Sequence, residues 1–224
     1  MFITHLKNII EKNASITTQN ILLIYDLCSP LSILLTKAYK VILTSFNYQT
    51  IEFQEEKIPE IKQQCKALHK GDLVILVQSM NFRISDYRIR MELNTQGILV
   101  LEHSHLQLIT EKQIPTYLNS LTYLYPTYKK QATALNALIL KAKKITVFTS
   151  GGNNLVYEGP FEAVKENIGD LQQTLGSFYP IGEVFTEPCD LTKVNGALAV
   201  YAYPDAHYLT QIVKPFSLTI QEGC

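Results

Sequence analysis

Three short stretches of this chain combine residue types and spacing that suit chemistry. In Glu102-His103-Ser104-His105, at the end of the aliphatic run ILVLE, alternate residues of an extended strand share a face. His103 and His105 would then stand together, close enough to share a metal ion. Histidines in such places are more often hydrogen-bonded and half-buried, and with no third ligand nearby the structural reading is the stronger. Asp26 closes the run ILLIYD in the same way, but no glycine-rich turn follows it to receive a pyrophosphate, so a Rossmann cofactor is not expected. The second stretch, Gly151-Gly152-Asn153-Asn154, lacks the Gly-Lys-Ser/Thr ending of a phosphate loop and reads as a β-turn. In the third, Tyr179-Pro180-Ile181-Gly182-Glu183-Val184-Phe185, a carboxylate follows a Pro-x-Gly turn at the mouth of an apolar strand. An ionised Glu183 there is costly unless a cation or hydrogen-bond donors hold it, which makes it a candidate metal ligand. The residue types alone lean towards the plainer reading, a glutamate paired with Lys, Arg or backbone amides.

The elements that must position these residues follow from the hydrophobic pattern. Aliphatic runs at Ile21 to Asp26, Val41 to Ser45, Leu73 to Gln78 and Ile98 to Glu102 alternate with segments of helical character. That order predicts βα units, a doubly wound α/β domain with a parallel sheet buried on both faces. Ser29 suits an N-cap and Pro30 the first helical position, with Leu31, Leu34, Leu35 and Ala38 facing inward. Further helices are predicted over 55–69, ending at Gly71, and 85–95, ending near Gly97. Apolar spacing from Ile114 to Lys144 predicts two more, broken at Pro126. Beyond Lys144 the chain is rich in strands and turns, including GEVFTEP and GALAVYAYP. The expected division is an α/β domain over 1–143 and a partial, mainly β domain over 144–224.

Composition narrows the function classes. With 46% hydrophobic and 18% charged residues the chain can offset its ordering entropy by burial. Lys plus Arg equals Asp plus Glu at 20 each, so neither a nucleic-acid partner nor an anionic membrane surface is expected. No apolar run approaches the ~18 residues of a membrane span, and the N-terminus has no export-signal core. Cys28, Cys65, Cys189 and Cys224 form no Cys-x-x-Cys pair, which fits a reduced cytoplasm.

The block Pro180, Gly182 to Thr186 and Pro188, followed by Val194-Asn195-Gly196, resembles the leucyl aminopeptidases of the thermophilic-metalloprotease (T and S) type. Arg90 to Gly97 and Gly-Gly-Asn-Asn-Leu-Val-Tyr stand where that family carries similar segments. The resemblance implies a dimeric metalloprotease, a hydrolase of N-terminal peptide bonds with peptides or small molecules as substrates. Two divalent ions, zinc or cobalt, would activate its water, and Glu183 would be a metal ligand. The family's other ligands lie further on, so the resemblance also implies an incomplete enzyme, inactive as this chain alone. Asp205 and His207 are the nearest substitutes; with Glu183 they would make a mononuclear site of the kind that holds iron. Ring-cleaving dioxygenases of hydroxypyridines resemble distant relatives of these aminopeptidases, which gives an alternative chemistry. A non-catalytic homologue acting as a binding or interaction module is the other.

Overall fold

The computed structural model describes residues 2–13, 20–85, 87–122, 124–149, 152–206 and 209–224. In chain order the first elements are α1 (Phe2–Asn13), β1 (Ile21–Tyr25), α2 (Pro30–Leu43), β2 (Tyr48–Glu52), α3 (Ile58–Lys66), β3 (Leu73–Val77), α4 (Ile89–Thr95), β4 (Leu99–His103) and α5 (Ile114–Ser120). Then come α6 (Tyr125–Ile139), β5 (Lys144–Phe148), β6 (Asn154–Glu158), β7 (Lys165–Asn167), α7 (Leu171–Thr174), β8 (Gly176–Tyr179), β9 (Glu183–Phe185), β10 (Val194–Pro204) and β11 (Thr210–Ile220). No helix among the described residues is long and apolar enough to cross a membrane.

The predicted α/β class is the observed one: a five-stranded sheet in the order β2-β1-β3-β4-β8, parallel at every pairing. Strands β1 and β3 are buried at every position, as a sheet covered on both faces requires. Alternate side chains feed two cores. Leu23, Ile75 and Leu101 pack with Leu6, Ile9 and Ile10 of α1 and Leu35 and Tyr39 of α2. Leu22, Val74 and Val100 pack with Ile61 and Cys65 of α3 and Leu93 of α4. Each fully buried aliphatic side chain contributes roughly 1.5–3 kcal/mol, and this double layer is where the fold's stability resides.

Two expectations are corrected. The run Val41 to Ser45 is not a strand: Val41 to Leu43 form the last turn of α2 and the strand follows at Tyr48. A short apolar run carries no period of its own, and here it extends a helix begun by a capping box, in which Ser29 accepts from Ser32 N and Ser32 Oγ accepts from Ser29 N. Nor does the chain divide in one cut at 143/144. One compact unit comprises Met1–Tyr128 with Asn167–Gly182, the other Lys129–Glu166 with Glu183–Cys224. The reason is β8, which returns to pair with β4 at the edge of the parallel sheet, Val100 opposite Gly176 and His103 opposite Tyr179.

In the second unit β5, β6, β10 and β11 form an antiparallel sheet in the order β11-β10-β6-β5. The turn read from Gly151 to Asn154 is the connection between β5 and β6; Thr149 N donates to Asn153 O, and Gly152 has φ +79°. Gly151 lies outside the described residues. Gly196 is required where β10 crosses β6, since a Cβ there would overlap the Asn154 carbonyl oxygen.

Asn167 fastens β8. Its Nδ2 donates to Phe178 O at 2.8 Å, and its Oδ1 accepts from Ser177 Oγ at 2.7 Å and Phe178 N at 3.2 Å. Asn167→Ala leaves these groups unpaired at a buried site, so a loss of about 2 kcal/mol is expected in urea unfolding. An unchanged midpoint would show that β8 is held by its ladder alone.

Candidate functional site

Open α/β sheets bind ligands beyond the carboxyl ends of their strands, where the strand order reverses. Here that point lies between β1 and β3, and it is closed. Asp26, just past β1, accepts from Ser79 N at 2.6 Å, from Ser79 Oγ at 2.5 Å and from Cys28 N at 3.0 Å. Ser79 Oγ also lies 2.9 Å from Ser29 Oγ and 3.0 Å from Ser32 Oγ. Asp26, Ser29, Ser32 and Ser79 are all buried. A carboxylate with three donors is well satisfied, so this network ties β1, β3 and the start of α2 together at that point.

The next strand end is divided. His103, the last residue of β4, is fully buried and sits among Tyr39, Tyr117 and Tyr179, with ring centroids 5.6, 6.2 and 5.5 Å away. Nε2 is 2.6 Å from Tyr39 Oη and Nδ1 is 2.8 Å from Tyr117 Oη. Tyr117 Oη donates to Tyr179 O at 3.3 Å, which assigns the ring proton to Nδ1 and makes Nε2 the acceptor from Tyr39. Burial holds the imidazole down at about 3, and it raises the Tyr39 and Tyr117 phenols well above their ordinary values. All of these groups are neutral at physiological pH. Glu102 projects to the opposite face, where its Oε1 accepts from Gln78 Nε2 at 2.8 Å and its Oε2 from Arg90 Nη1 at 3.1 Å. Gln78 Oε1 in turn accepts from Phe82 N at 2.7 Å.

Among the described residues, those singled out as ligands are not brought together. β4 ends at His103, and His105 takes a left-handed conformation (φ 56°), so the alternation that would have paired the two is broken. Both His103 nitrogens are engaged by tyrosine hydroxyls, and a metal there would displace one of them. Glu183 opens β9 and is exposed, so the desolvation that would have demanded a cation is absent. Asp205 accepts from Leu209 N at 3.0 Å and Gln211 Nε2 at 2.8 Å within the β10–β11 connection. His207 lies outside the described residues. Among the described residues no group of three His, Cys, Asp or Glu is placed to hold a metal ion, so they do not fit a metal centre.

No protein-family model matches the chain, and no curated protein matches its sequence. A solved structure does: the 2,5-dihydroxypyridine dioxygenase of Pseudomonas putida KT2440, with a TM-score of 0.67 and 13% identity over 99% of this chain and 65% of that one. At that identity the likeness is one of fold. The chain spans 65% of the length of the structure it matches. The leucyl aminopeptidase assignment is thereby overturned, because the match is to a dioxygenase and no family model supports a peptidase. The hydrolase, metalloprotease and dimer inferred with it lose their basis. The Gly-Glu-Val-Phe-Thr block misleads because a glutamate after a Pro-x-Gly turn also suits an exposed strand start.

Sequence reasoning misses Ser79, Gln78, Glu102 and Arg90 as partners at the strand ends. The available signal is positional, since each lies at or just beyond the carboxyl end of an aliphatic run or on the helix beside it.

His103 gives a pH test. Its folded value of about 3 lies below the ordinary ~6.5, so the unfolded chain takes up a proton that the native one refuses. Its contribution is complete above about pH 6.5 and declines as pH falls towards its folded value, by roughly 1 kcal/mol per pH unit. In urea unfolding at about pH 7.5 and about pH 5, His103→Gln is expected to lose less stability on acidification than the unaltered chain. Equal losses would show that His103 is protonated in the fold.

Proposed function

We propose that this chain is a small-molecule-binding relative of the ring-cleaving dioxygenase fold and that its described residues hold no metal centre of their own. What carries the reading is one pairing of observations. The fold correspondence runs over 99% of the chain, while the described residues gather no three metal-ligating side chains. A metal centre needs three or more protein donors converging on one point, and Glu183 supplies one exposed carboxylate. The four unpaired cysteines, three of them exposed, favour a reduced cytoplasm.

The fold correspondence favours a second reading, oxygen-dependent cleavage of a hydroxylated nitrogen heterocycle. Such a reaction calls for iron, which would activate oxygen and substrate together. Glu183 would supply one donor, and His207 and groups outside the described residues the others.

One measurement separates the two. The chain purified after growth with added iron, zinc and cobalt is expected to carry far less than one ion per molecule, and to consume no oxygen with ferrous ion and 2,5-dihydroxypyridine. Stoichiometric iron with oxygen uptake, both lost in Glu183→Gln, would establish the second reading. Because Glu183 is exposed, that substitution is expected to leave stability within about 0.5 kcal/mol, so a loss of activity would not reflect unfolding.

A further inference from the structure

The chain's three arginines, Arg83, Arg88 and Arg90, all fall within eight residues, whereas its lysines are spread from Lys7 to Lys214. All three line one cavity of about 560 Å³, on the α4 side of the sheet beyond the ends of β3 and β4. Ligand pockets typically occupy ~300–1,000 Å³. The switch-point crevice beside it is occupied by the Asp26–Ser79 network, and this cavity is an open space at the carboxyl edge of the parallel sheet.

We propose that this cavity binds a small organic oxyanion, with a carboxylate or phosphate between the arginines and a flat apolar body on the floor. Three arginines and one carboxylate, Glu102, are the charged groups among the described residues that line it. That excess of positive charge stands out in a chain whose basic and acidic residues balance overall. Arginine suits such a ligand because its planar fork meets two oxygens of a carboxylate or phosphate at once, which a lysine point charge does not.

The walls are already built. Arg90 is held between Glu102, at 3.1 Å, and the face of Phe178, whose centroid lies 4.3 Å from its guanidinium carbon. Glu102 is itself tied through Gln78 to the Phe82 backbone, so a chain of hydrogen bonds holds that wall. Arg88 has Nη1 3.7 Å from Met91 Sδ, a weak acceptor that leaves most of its five donors for an anion. The floor is apolar: Leu76, Ile84 and Ile89 are buried beneath it, and Phe82, stacked on Phe53 at 4.2 Å, offers an aromatic edge. A cationic rim over an apolar floor selects a ligand with one charged end and one flat end.

This deepens the binding reading and rests on it; metal content is read separately, so the two can fail independently. Calorimetric titration of the full chain with phenyl phosphate, benzoate and uncharged benzyl alcohol tests it. At least one anion is expected to bind saturably at one per chain while the alcohol does not, and the anion that binds identifies the headgroup. Arg88→Gln, at a position outside the buried core, is expected to weaken that anion about tenfold, the worth of one charge-assisted contact. Arg83→Gln is expected to do the same, whereas Lys143→Gln, which removes an equal charge elsewhere, should have no effect. The proposal is overturned if neither anion binds, if the alcohol binds as well as the anions, or if the arginine variants behave like Lys143→Gln.

Discussion

At the carboxyl end of β4 a strand buried on both faces finishes in two polar residues, and each must be satisfied on its own side. Hydrogen bonding alone decides how. An unpaired polar group in such a place costs on the order of 1–3 kcal/mol, so His103 and Glu102 recruit partners from distant parts of the chain. His103 collects Tyr39 from α2, Tyr117 from α5 and the ring of Tyr179 from β8, whose carbonyl accepts from Tyr117. Glu102 collects Gln78 beyond β3 and Arg90 from α4. The α1/α2 face and the α3/α4 face are thus both anchored at one strand end.

The two sides differ in what they leave available. On the α2 side the imidazole is neutral, fully buried and bonded at both nitrogens. On the α4 side Glu102 is the hinge between a rigid polar chain and a basic, apolar-floored cavity. With Asp26 and Ser79 occupying the neighbouring crevice, the sheet's carboxyl edge is sealed over β1 and open over β3 and β4. Local hydrogen-bond satisfaction, more than strand order, thereby decides where along this edge a cavity remains.

Much of the first unit is legible in the sequence because its signals are strong and local. Long aliphatic runs bounded by Ser29-Pro30, Gly71 and Gly97 predict buried strands and helix limits, and those at β1, β3 and β4 stand where the pattern puts them. The failures have a common physical origin in non-local pairing. YQTIE does not read as a strand because its burial comes from lying beside β1, while the more apolar Val41 to Leu43 belong to a helix. Likewise nothing near Gly176 says that it will pair with Val100 across more than seventy residues of chain. At the site, the identity and strand-end position of His103 are readable, but its three tyrosine neighbours come from three other elements. Glu183 draws its weight from a local turn pattern, and exposure removes the argument that supported it.

The claim that β4 ends in a sealed histidine is tested most directly by long-range ¹H–¹⁵N spectra of the imidazoles. His103 is expected to show one protonated nitrogen, Nδ1, with shifts unchanged from about pH 7.5 to about pH 5 and on addition of zinc or ferrous ion. A His103 signal that titrates near neutrality, or that moves or broadens with the metal, would contradict the account and make this strand end a candidate metal ligand once more.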